Sequence, residues 1–284
     1  MKKQIITLLI FLFVSVKAVA CSCDTPKPIL EFYSSKYVFE GLVTFKKIAK
    51  DSATYSIKVK VLKNYKKGNI PKELHFTLYY EKEFSGGSSC HMEVHKNQKL
   101  LVFASEYKGK LGFSIMCSNS QVIQESGINP LLQKVLDHGN EFKLDNYIYD
   151  LDNTVNGEFN SAKPITNLDS IFKNAKAIKS DKPLGLFALY INKKGELVSV
   201  FNFFDWYKSS EDFIIDPAFG LMKEFKVKRR RPLTEFEIYT IELLKNLKIW
   251  ELKKYKNSQI AVDYMAYISV DFDEKTLKWT YELK

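Results

Sequence analysis

Hydrophobic and polar residues alternate along several short segments of the chain, and this period of two predicts β-strands. The clearest case is the segment 53–62, where tyrosine, isoleucine and valine occupy every second position. Shorter runs rich in apolar residues predict four further strands, at 37–43, 72–80, 100–104 and 112–116. Five short strands at this spacing are typical of a small barrel, and Greek-key connections would make it an oligonucleotide/oligosaccharide-binding (OB) fold.

Helix signals follow this β-rich part. Asn129 and Pro130 predict the start of a helix and Gly139 predicts its end. The segment 141–182 is rich in Asn, Asp, Ser and Lys and carries turn signals, so we interpret it as a linker region with one helix near 168–177.

The last hundred residues follow a different pattern. Two strands at 184–191 and 196–204 flank a tight turn at 192–195, which predicts a hairpin. Thr234 and Glu237 form a capping-box signature, and apolar residues then recur at helical spacing to about Trp250. Every even position from 260 to 272 is apolar or small, which predicts a long strand. The order strand, strand, helix, strand predicts an α+β domain over 183–284.

The first twenty residues have the charged, apolar and small-residue order of a secretory signal peptide. Lys2 and Lys3 precede an apolar run, and Ala18 and Ala20 supply the small residues for cleavage before Cys21. Removal of this leader leaves 264 of the 284 residues and, through the loss of three lysines, lowers the formal charge from +10 to +7. We therefore expect a secreted or periplasmic protein. The alternative is lipidation of Cys21, which would make an outer-membrane lipoprotein.

The basic balance and the absence of catalytic motifs point to binding. Lysines are spread along the chain, but the segment 226–231 concentrates positive charge, and Arg229, Arg230 and Arg231 are candidates for contact with an acidic partner or lipid phosphates; the other interpretation is a solvated loop. No aromatic interleaving accompanies the cluster, so we expect no nucleic-acid partner. The sequence contains no phosphate-binding loop, nucleophile elbow or paired-carboxylate signature. We expect a protein that is not an enzyme and needs no cofactor.

His91 and His95 are four residues apart, but Glu93 does not complete a zinc-protease motif. They follow a Gly/Ser-rich segment that predicts a loop, so we interpret them as surface residues and expect no metal site in this chain.

The four cysteines of the chain all lie in its first half, at Cys21, Cys23, Cys90 and Cys117. An even number in an exported protein favours disulfides, and four cysteines allow three pairings. A bridge between Cys21 and Cys23 would be strained, so the two long-range pairings are preferred. Each long bridge would add roughly 4 kcal/mol in the chain-entropy model and would fix the mature N-terminus to the domain.

The segment 21–138 resembles the netrin-like domain of tissue inhibitors of metalloproteinases. The resemblance lies in Cys21-Ser22-Cys23, the following prolines, the strand at 37–43 and the segment 95–103. Cys90 follows Cys21 by 69 residues and Cys117 follows Cys23 by 94, close to the family's first-to-third and second-to-fourth pairings. The resemblance thus implies a domain over 21–140 with bridges Cys21–Cys90 and Cys23–Cys117, an OB-like barrel and a flanking helix.

In the resembling inhibitors, the α-amine and carbonyl of the first cysteine chelate the zinc of a target protease. The resemblance implies that Cys21 of this chain has the chelating role and that Ser22 points toward the substrate pocket of the protease. An α-amine has a pKa near 8, so a useful fraction is free to bind metal at neutral pH.

The segment 183–273 resembles the C-terminal domain of TonB-like proteins, through the hairpin 190–198, the Trp250 that follows the helix and the strand that begins at Ile260. The family binds a peptide by strand addition at a sheet edge, a mode that any exposed edge strand supports. This chain carries neither a full-length anchor nor a proline-rich linker, so the resemblance implies partner docking more than energy transduction.

Two hypotheses follow for the function. The first is a metalloendopeptidase inhibitor that acts through Cys21 and Ser22. The second is an envelope structural or interaction protein with a TonB-like docking domain and a barrel that serves as a scaffold. Both imply a protein partner, either a zinc metalloprotease or an envelope protein, and membrane contact only if Cys21 is lipidated.

Overall fold

The computed structural model describes residues 25–50, 54–79, 93–149, 162–207, 213–229, 231–255 and 259–284. The described chain is mostly β-structure and divides into two compact units. Unit 1 contains Ser35–Asn64 and Gly68–Gly127, and unit 2 contains Pro26–Ser34, Tyr65–Lys67 and Ile128–Lys284. This division differs from the predicted boundaries 21–140 and 183–284, because short N-terminal segments and the residues from 128 onward belong to unit 2.

Unit 1 is built around a six-stranded antiparallel sheet that curls into a nearly closed barrel. Its strands are β1 (Tyr37–Ile48), β2 (Thr54–Asn64), β3 (Glu73–Tyr79), β4 (Lys99–Tyr107), β5 (Lys110–Gly112) and β6 (Gln121–Val122). The order is β3-β2-β1-β4-β5, with β6 paired to β4. Phe76 of β3 packs edge-to-face on Phe113, which follows β5, with ring centroids 4.9 Å apart. This contact links the two ends of the sheet.

The alternation in the sequence corresponds to the inside and outside of this sheet. Tyr55, Ile57 and Val59 are buried, as the period of two in β2 predicts. Four of the five predicted strands are confirmed, but the fifth lies at 110–112 and not at 112–116. Lys108 and Gly109 both have positive φ and make a two-residue turn, so β5 begins directly after β4 as the second half of a hairpin.

Unit 2 contains a seven-stranded mixed sheet that forms a half-barrel. Its strands are β7 (Ile148–Tyr149), β8 (Leu184–Ile191), β9 (Leu197–Asn202), β10 (Phe213–Ile215), β11 (Met222–Phe225), β12 (Asp263–Asp273) and β13 (Lys278–Leu283). The order is β10-β11-β7-β12-β8-β9, and β13 pairs with β12. The pairing of β7 with β12 is parallel and the others are antiparallel.

Five described α-helices belong to unit 2: α1 (Pro28–Ser34), α2 (Pro130–His138), α3 (Leu168–Lys173), α4 (Phe203–Tyr207) and α5 (Glu235–Leu244). The predicted start and end of α2 are confirmed, since the Asn129 side chain accepts a hydrogen bond from the Leu131 N–H at 2.9 Å. Gly139 ends the helix with an ordinary right-handed φ of −58°. A Cβ at this position would lie 2.7 Å from the Phe32 ring, so the glycine is needed for close packing against α1.

Four elements of unit 2 differ from their predictions. Strand β9 ends at Asn202 and not at 204, because helix α4 begins at Phe203, and helix α3 ends at Lys173 and not near 177. Helix α5 ends at Leu244 and not near Trp250, because 248–250 runs as extended chain and hydrogen-bonds to 163–165 on one side and 195–197 on the other. Strand β12 begins at Asp263 and not at Ile260.

The described parts of the expected linker region also lie within unit 2. They contribute strand β7 to the sheet and helix α3, which packs on the sheet through Phe172. The Phe172 ring stacks on the ring of Tyr281, with centroids 4.8 Å apart.

Candidate functional site: an open sheet edge beside a groove

Strand β9 lies at one edge of the sheet of unit 2. On its inner side it pairs with β8 along its length. On its outer side Leu197 N–H donates to the Lys248 carbonyl at 2.9 Å, and the adjacent Glu196 bridges to Ile249. At Val198, which is 55% exposed, and at the half-buried Ser199, no strand of the described chain pairs with this outer side, whereas Val200, Phe201 and Asn202 are buried. An open edge of this kind presents backbone donors and acceptors to another chain.

A groove of about 670 Å³ runs beside this open edge. The strand contributes Ser199, Val200 and Asn202 to its lining, and Val227 and Arg229 contribute from the segment that precedes α5. Helix α5 adds the apolar side chains of Ile238 and Ile241. Ile238 is 51% exposed although it is a large apolar residue, so this part of the groove offers apolar surface to a ligand.

Glu237 fixes the end of β9 to the first turn of α5. Its carboxylate accepts hydrogen bonds from Asn202 Nδ2 at 2.7 Å, from the Thr234 backbone N–H at 2.8 Å, and from both terminal nitrogens of Arg231 at 2.7 and 2.5 Å. Thr234 Oγ1 accepts from the Glu237 N–H at 3.2 Å, which confirms the predicted capping box. The strand, the helix and the basic segment therefore meet at one buried carboxylate.

The charge state of Glu237 follows from these contacts. Burial acts to raise the pKa of its carboxyl, but the hydrogen bonds from Arg231 and Thr234 outweigh burial and hold the pKa below its ordinary value. The carboxylate is therefore ionised at neutral pH. The same hydrogen bond raises the pKa of Arg231.

The structure separates the three arginines that the sequence groups together. Arg231 is held by Glu237 and serves the fold. Arg229 is exposed, lines the groove and makes no ion pair with another residue of the described chain. Arg230 lies outside the described residues. Of the three candidates, Arg229 is the one placed to meet a ligand of the groove.

Other strands occupy most of the outer side of the long strand β12. β7 pairs with it at 263–264, and β13 pairs with it from 268 to 273. β13 is not among the predicted strands. At the end of the sheet formed by the β8–β9 hairpin, β9 is therefore the strand to which a partner strand could be added.

The residues that carry the inhibitor hypothesis are outside the part that the structure describes. These are Cys21, Ser22, Cys23 and Cys90, and His91, which the sequence analysis interprets as a surface residue, lies outside that part as well. Cys117 is disulfide-bonded, but the pairing implied by the resemblance stays a prediction. His95 is exposed, and its backbone N–H donates to Gln98 Oε1 at 2.8 Å.

The described ranges contain no group of three or more His, Cys, Asp or Glu side chains arranged to hold a metal ion. They also contain no helix with the length and apolar character needed to cross a membrane.

Sequence reasoning missed Asn202 and Ile238. Asn202 is a buried amide at the end of a strand whose neighbours are apolar, and a polar residue in that position is a signal for a specific hydrogen bond. Ile238 gives no such signal, because it falls within an apolar helix pattern and its exposure depends on the position of β9.

No model of a known protein family matches the chain. A search of curated proteins finds no match either.

Proposed function

We propose that this is an exported protein-binding protein, and that unit 2 takes up a segment of a partner at the open edge of β9. The observation that carries the proposal is the groove, lined by both apolar and polar side chains, that lies beside the outer side of β9, where Val198 and Ser199 pair with no strand of the described chain. Main-chain hydrogen bonds to an edge strand give affinity, and pockets for alternate side chains give specificity. The role is recognition of a chain without a catalytic step.

The proposal includes a finer assignment of both units. The sheet order β9-β8-β12, with α5 between β9 and β12 in the sequence, supports a TonB-like core. Gly195 in the hairpin turn has a φ of 78° and accepts a hydrogen bond from the Trp250 N–H at 2.8 Å, which joins the two signature residues. The order β3-β2-β1-β4-β5 in unit 1 supports an OB-like barrel. In this account α2, the predicted flanking helix, belongs to the other unit.

The docking proposal is tested by placing a photo-crosslinking side chain at Ser199 of the full chain in the cells that produce it. We expect a crosslink to a defined protein. Ile238→Gln should reduce this crosslink several-fold, because it removes half-exposed apolar surface from the groove. The matched control is Ile214→Gln, which alters an isoleucine of similar exposure, 50%, on β10. A crosslink that both variants leave unchanged would show that the groove is not the docking site.

A second function, metalloendopeptidase inhibition, is favoured by one observation in unit 1. Cys117 is disulfide-bonded in a unit with a barrel-like sheet, as a stapled netrin-like domain requires. In this proposal the α-amine and carbonyl of Cys21 bind the zinc of the protease and Ser22 faces its substrate pocket. The protein is then secreted or periplasmic. Lipidation of Cys21 would instead give an outer-membrane lipoprotein and remove the chelating amine.

This second proposal is tested by extending the mature N-terminus with one alanine. We expect the extension to abolish inhibition of zinc metalloproteases, since it moves the α-amine away from the cysteine carbonyl. The mature protein without the extension is the positive control. If the extended protein inhibits as well as the mature protein, zinc chelation by Cys21 is wrong. Docking at β9 should be unchanged by the extension.

A further inference from the structure

The outer face of the sheet in unit 1 carries lysines from neighbouring strands. Val59 of β2 points into the barrel core, so Lys58 and Lys60 on either side of it point outward. Lys60 lies opposite the half-buried Leu42 of β1. On the other side of β1, Leu42 lies opposite Lys99 of β4. The register thus places lysines of two strands on one face, with an apolar side chain between them.

Strand β1 adds an aromatic ring and a further lysine to this face. Phe45 lies opposite Lys58 and is 41% exposed, and Lys58 Nζ lies 5.9 Å from the centroid of its ring. Two positions further along β1, the exposed Lys47 lies opposite Ser56. We call the surface formed by these side chains the basic face, and its members are Leu42, Phe45, Lys47, Lys58, Lys60 and Lys99.

The acidic residues around the basic face are engaged. Glu73 of β3 lies opposite Lys60 in the register. Its carboxylate shares a hydrogen bond with His75 Nε2 at 3.0 Å and lies 3.8 Å from Lys58 Nζ. The contact with His75 holds the pKa of Glu73 below its ordinary value. The next acidic residues have basic neighbours of their own, since Glu40 lies opposite Lys63 and Glu93 pairs with Lys46.

The charge of the basic face is therefore set by lysines. Three of them make no ion pair with a described residue: Lys47, Lys60 and Lys99. The arginines of the chain all lie at 229–231, so each cation of this face is an ammonium group on a flexible stem. An ammonium is a point charge, and it does not impose the planar, bidentate geometry of a guanidinium. Such a face suits a partner whose negative charge is spread over a surface.

We propose that unit 1 binds an anionic lipid surface through the basic face. The lysines lie against the headgroups, and Phe45 and Leu42 contact the boundary between headgroups and acyl chains. This contact does not require lipidation of Cys21, which is the route to a membrane that the sequence suggests. It is also independent of the docking proposal, which concerns unit 2.

A lipid surface is favoured over a linear polyanion by the layout of the basic face. Lys60 and Lys99 lie two strands apart, roughly 10 Å, and Lys58 and Lys60 lie about 7 Å apart along β2. The cations thus extend in two directions and do not follow a single line. Single-stranded nucleic acids are bound by successive aromatic rings along a charged groove, whereas the described residues of this face expose one ring, that of Phe45.

The test is flotation of the purified full mature protein with vesicles of phosphatidylcholine, either alone or mixed with phosphatidylglycerol. We expect at least about tenfold tighter binding to the mixed vesicles, and we expect salt to weaken it. Lys47→Glu together with Lys60→Glu should weaken this binding by at least about tenfold, since each lysine near an anionic surface contributes about fivefold in affinity. The control is Lys108→Glu together with Lys110→Glu, the same charge change in the exposed β4–β5 hairpin, which should leave binding unchanged.

The apolar part of the contact is tested at Phe45. Phe45→Ser should weaken binding to the mixed vesicles several-fold, because it removes apolar surface from the contact. The matched control is Tyr107→Ser in the β4–β5 hairpin. Tyr107 is 74% exposed and has Lys108 Nζ 5.3 Å from its ring centroid, so it is also an exposed ring beside a lysine. This control should bind as wild type does, and a Phe45→Ser variant that does so too would contradict the place given to the ring.

Three further outcomes would overturn the inference. The first is absence of vesicle binding, or equal binding to both kinds of vesicle. The second is binding to the mixed vesicles that the double variant at Lys47 and Lys60 leaves unchanged. The third is tighter binding to a soluble polyuronate or to single-stranded DNA than to the mixed vesicles, lost in the same variant, which would assign the face to a linear polyanion. None of these results bears on docking at β9, which is judged by the Ser199 crosslink.

Discussion

At the scale of single residues, Glu237 has two tasks that the sequence shows only in part. The capping box with Thr234 is visible as a spacing of three residues, and the structure confirms it. The contacts with Asn202 and Arg231 join residues 35 and 6 positions away in the chain and depend on how strand and helix pack. The same limit applies to the arginine cluster, where only packing distinguishes the paired Arg231 from the exposed Arg229.

We expect Glu237→Gln to destabilise unit 2 by about 1–3 kcal/mol at pH 7, because it removes charge-assisted hydrogen bonds to a buried group. The folded pKa of Glu237 lies below its ordinary value, so this stabilisation is present above the unfolded pKa of about 4.3 and is lost as the pH falls through the folded pKa. Urea unfolding from pH 7 to pH 3 should therefore show the stability difference between wild type and variant shrinking with acidity.

Glu235→Gln is the matched control, since Glu235 is exposed in the same first turn of α5. It should change stability by less than about 1 kcal/mol at every pH. A Glu237→Gln variant as stable as wild type at pH 7, or a stability difference that grows on acidification, would refute the role given to the Glu237 carboxylate.

At the scale of elements, sequence patterns predict the features that nearby residues determine, such as the burial of alternate strand positions and the start of a helix. Period-two alternation locates β2, and caps locate the start of α2 and of α5. The predicted helix is too long where buried residues continue at helical spacing beyond the end of the real helix. Leu247 and Trp250 are buried at helical spacing after α5, but they lie in extended chain that is held by hydrogen bonds to neighbouring segments. Apolar periodicity reports which side chains are buried, and it does not by itself fix the backbone.

β13 is the element that sequence reasoning missed with the largest effect on the functional account. Its exposed and half-buried positions alternate from Lys278 to Leu283, so the signal was present in the sequence. Once β13 and β7 are placed, most of the outer side of β12 is paired, and β9 is the edge strand on the hairpin side. The docking proposal therefore depends on an element that pattern reading overlooked.

At the scale of the whole molecule, the sequence predicts two structural units but cannot assign every segment to them. A change in composition near 140 and 182 suggests boundaries there. In the structure, α1 and Tyr65–Lys67 belong to unit 2 although they lie within the first sixty-seven residues. Lys66 Nζ, for example, donates to the Phe32 and Tyr33 carbonyls at 2.9 and 2.8 Å. Such contacts between distant parts of the chain leave no local pattern.

The most direct test of the account is hydrogen–deuterium exchange of the full mature protein, alone and with a synthetic peptide of the partner segment that crosslinks to Ser199. The account predicts that the peptide slows exchange of the amides at 198–199, with smaller changes at 226–229, because a docked strand supplies acceptors to the outer side of β9. Protection at β10 or β13 instead, or unchanged exchange at 198–199, would contradict the claim that β9 is the docking edge.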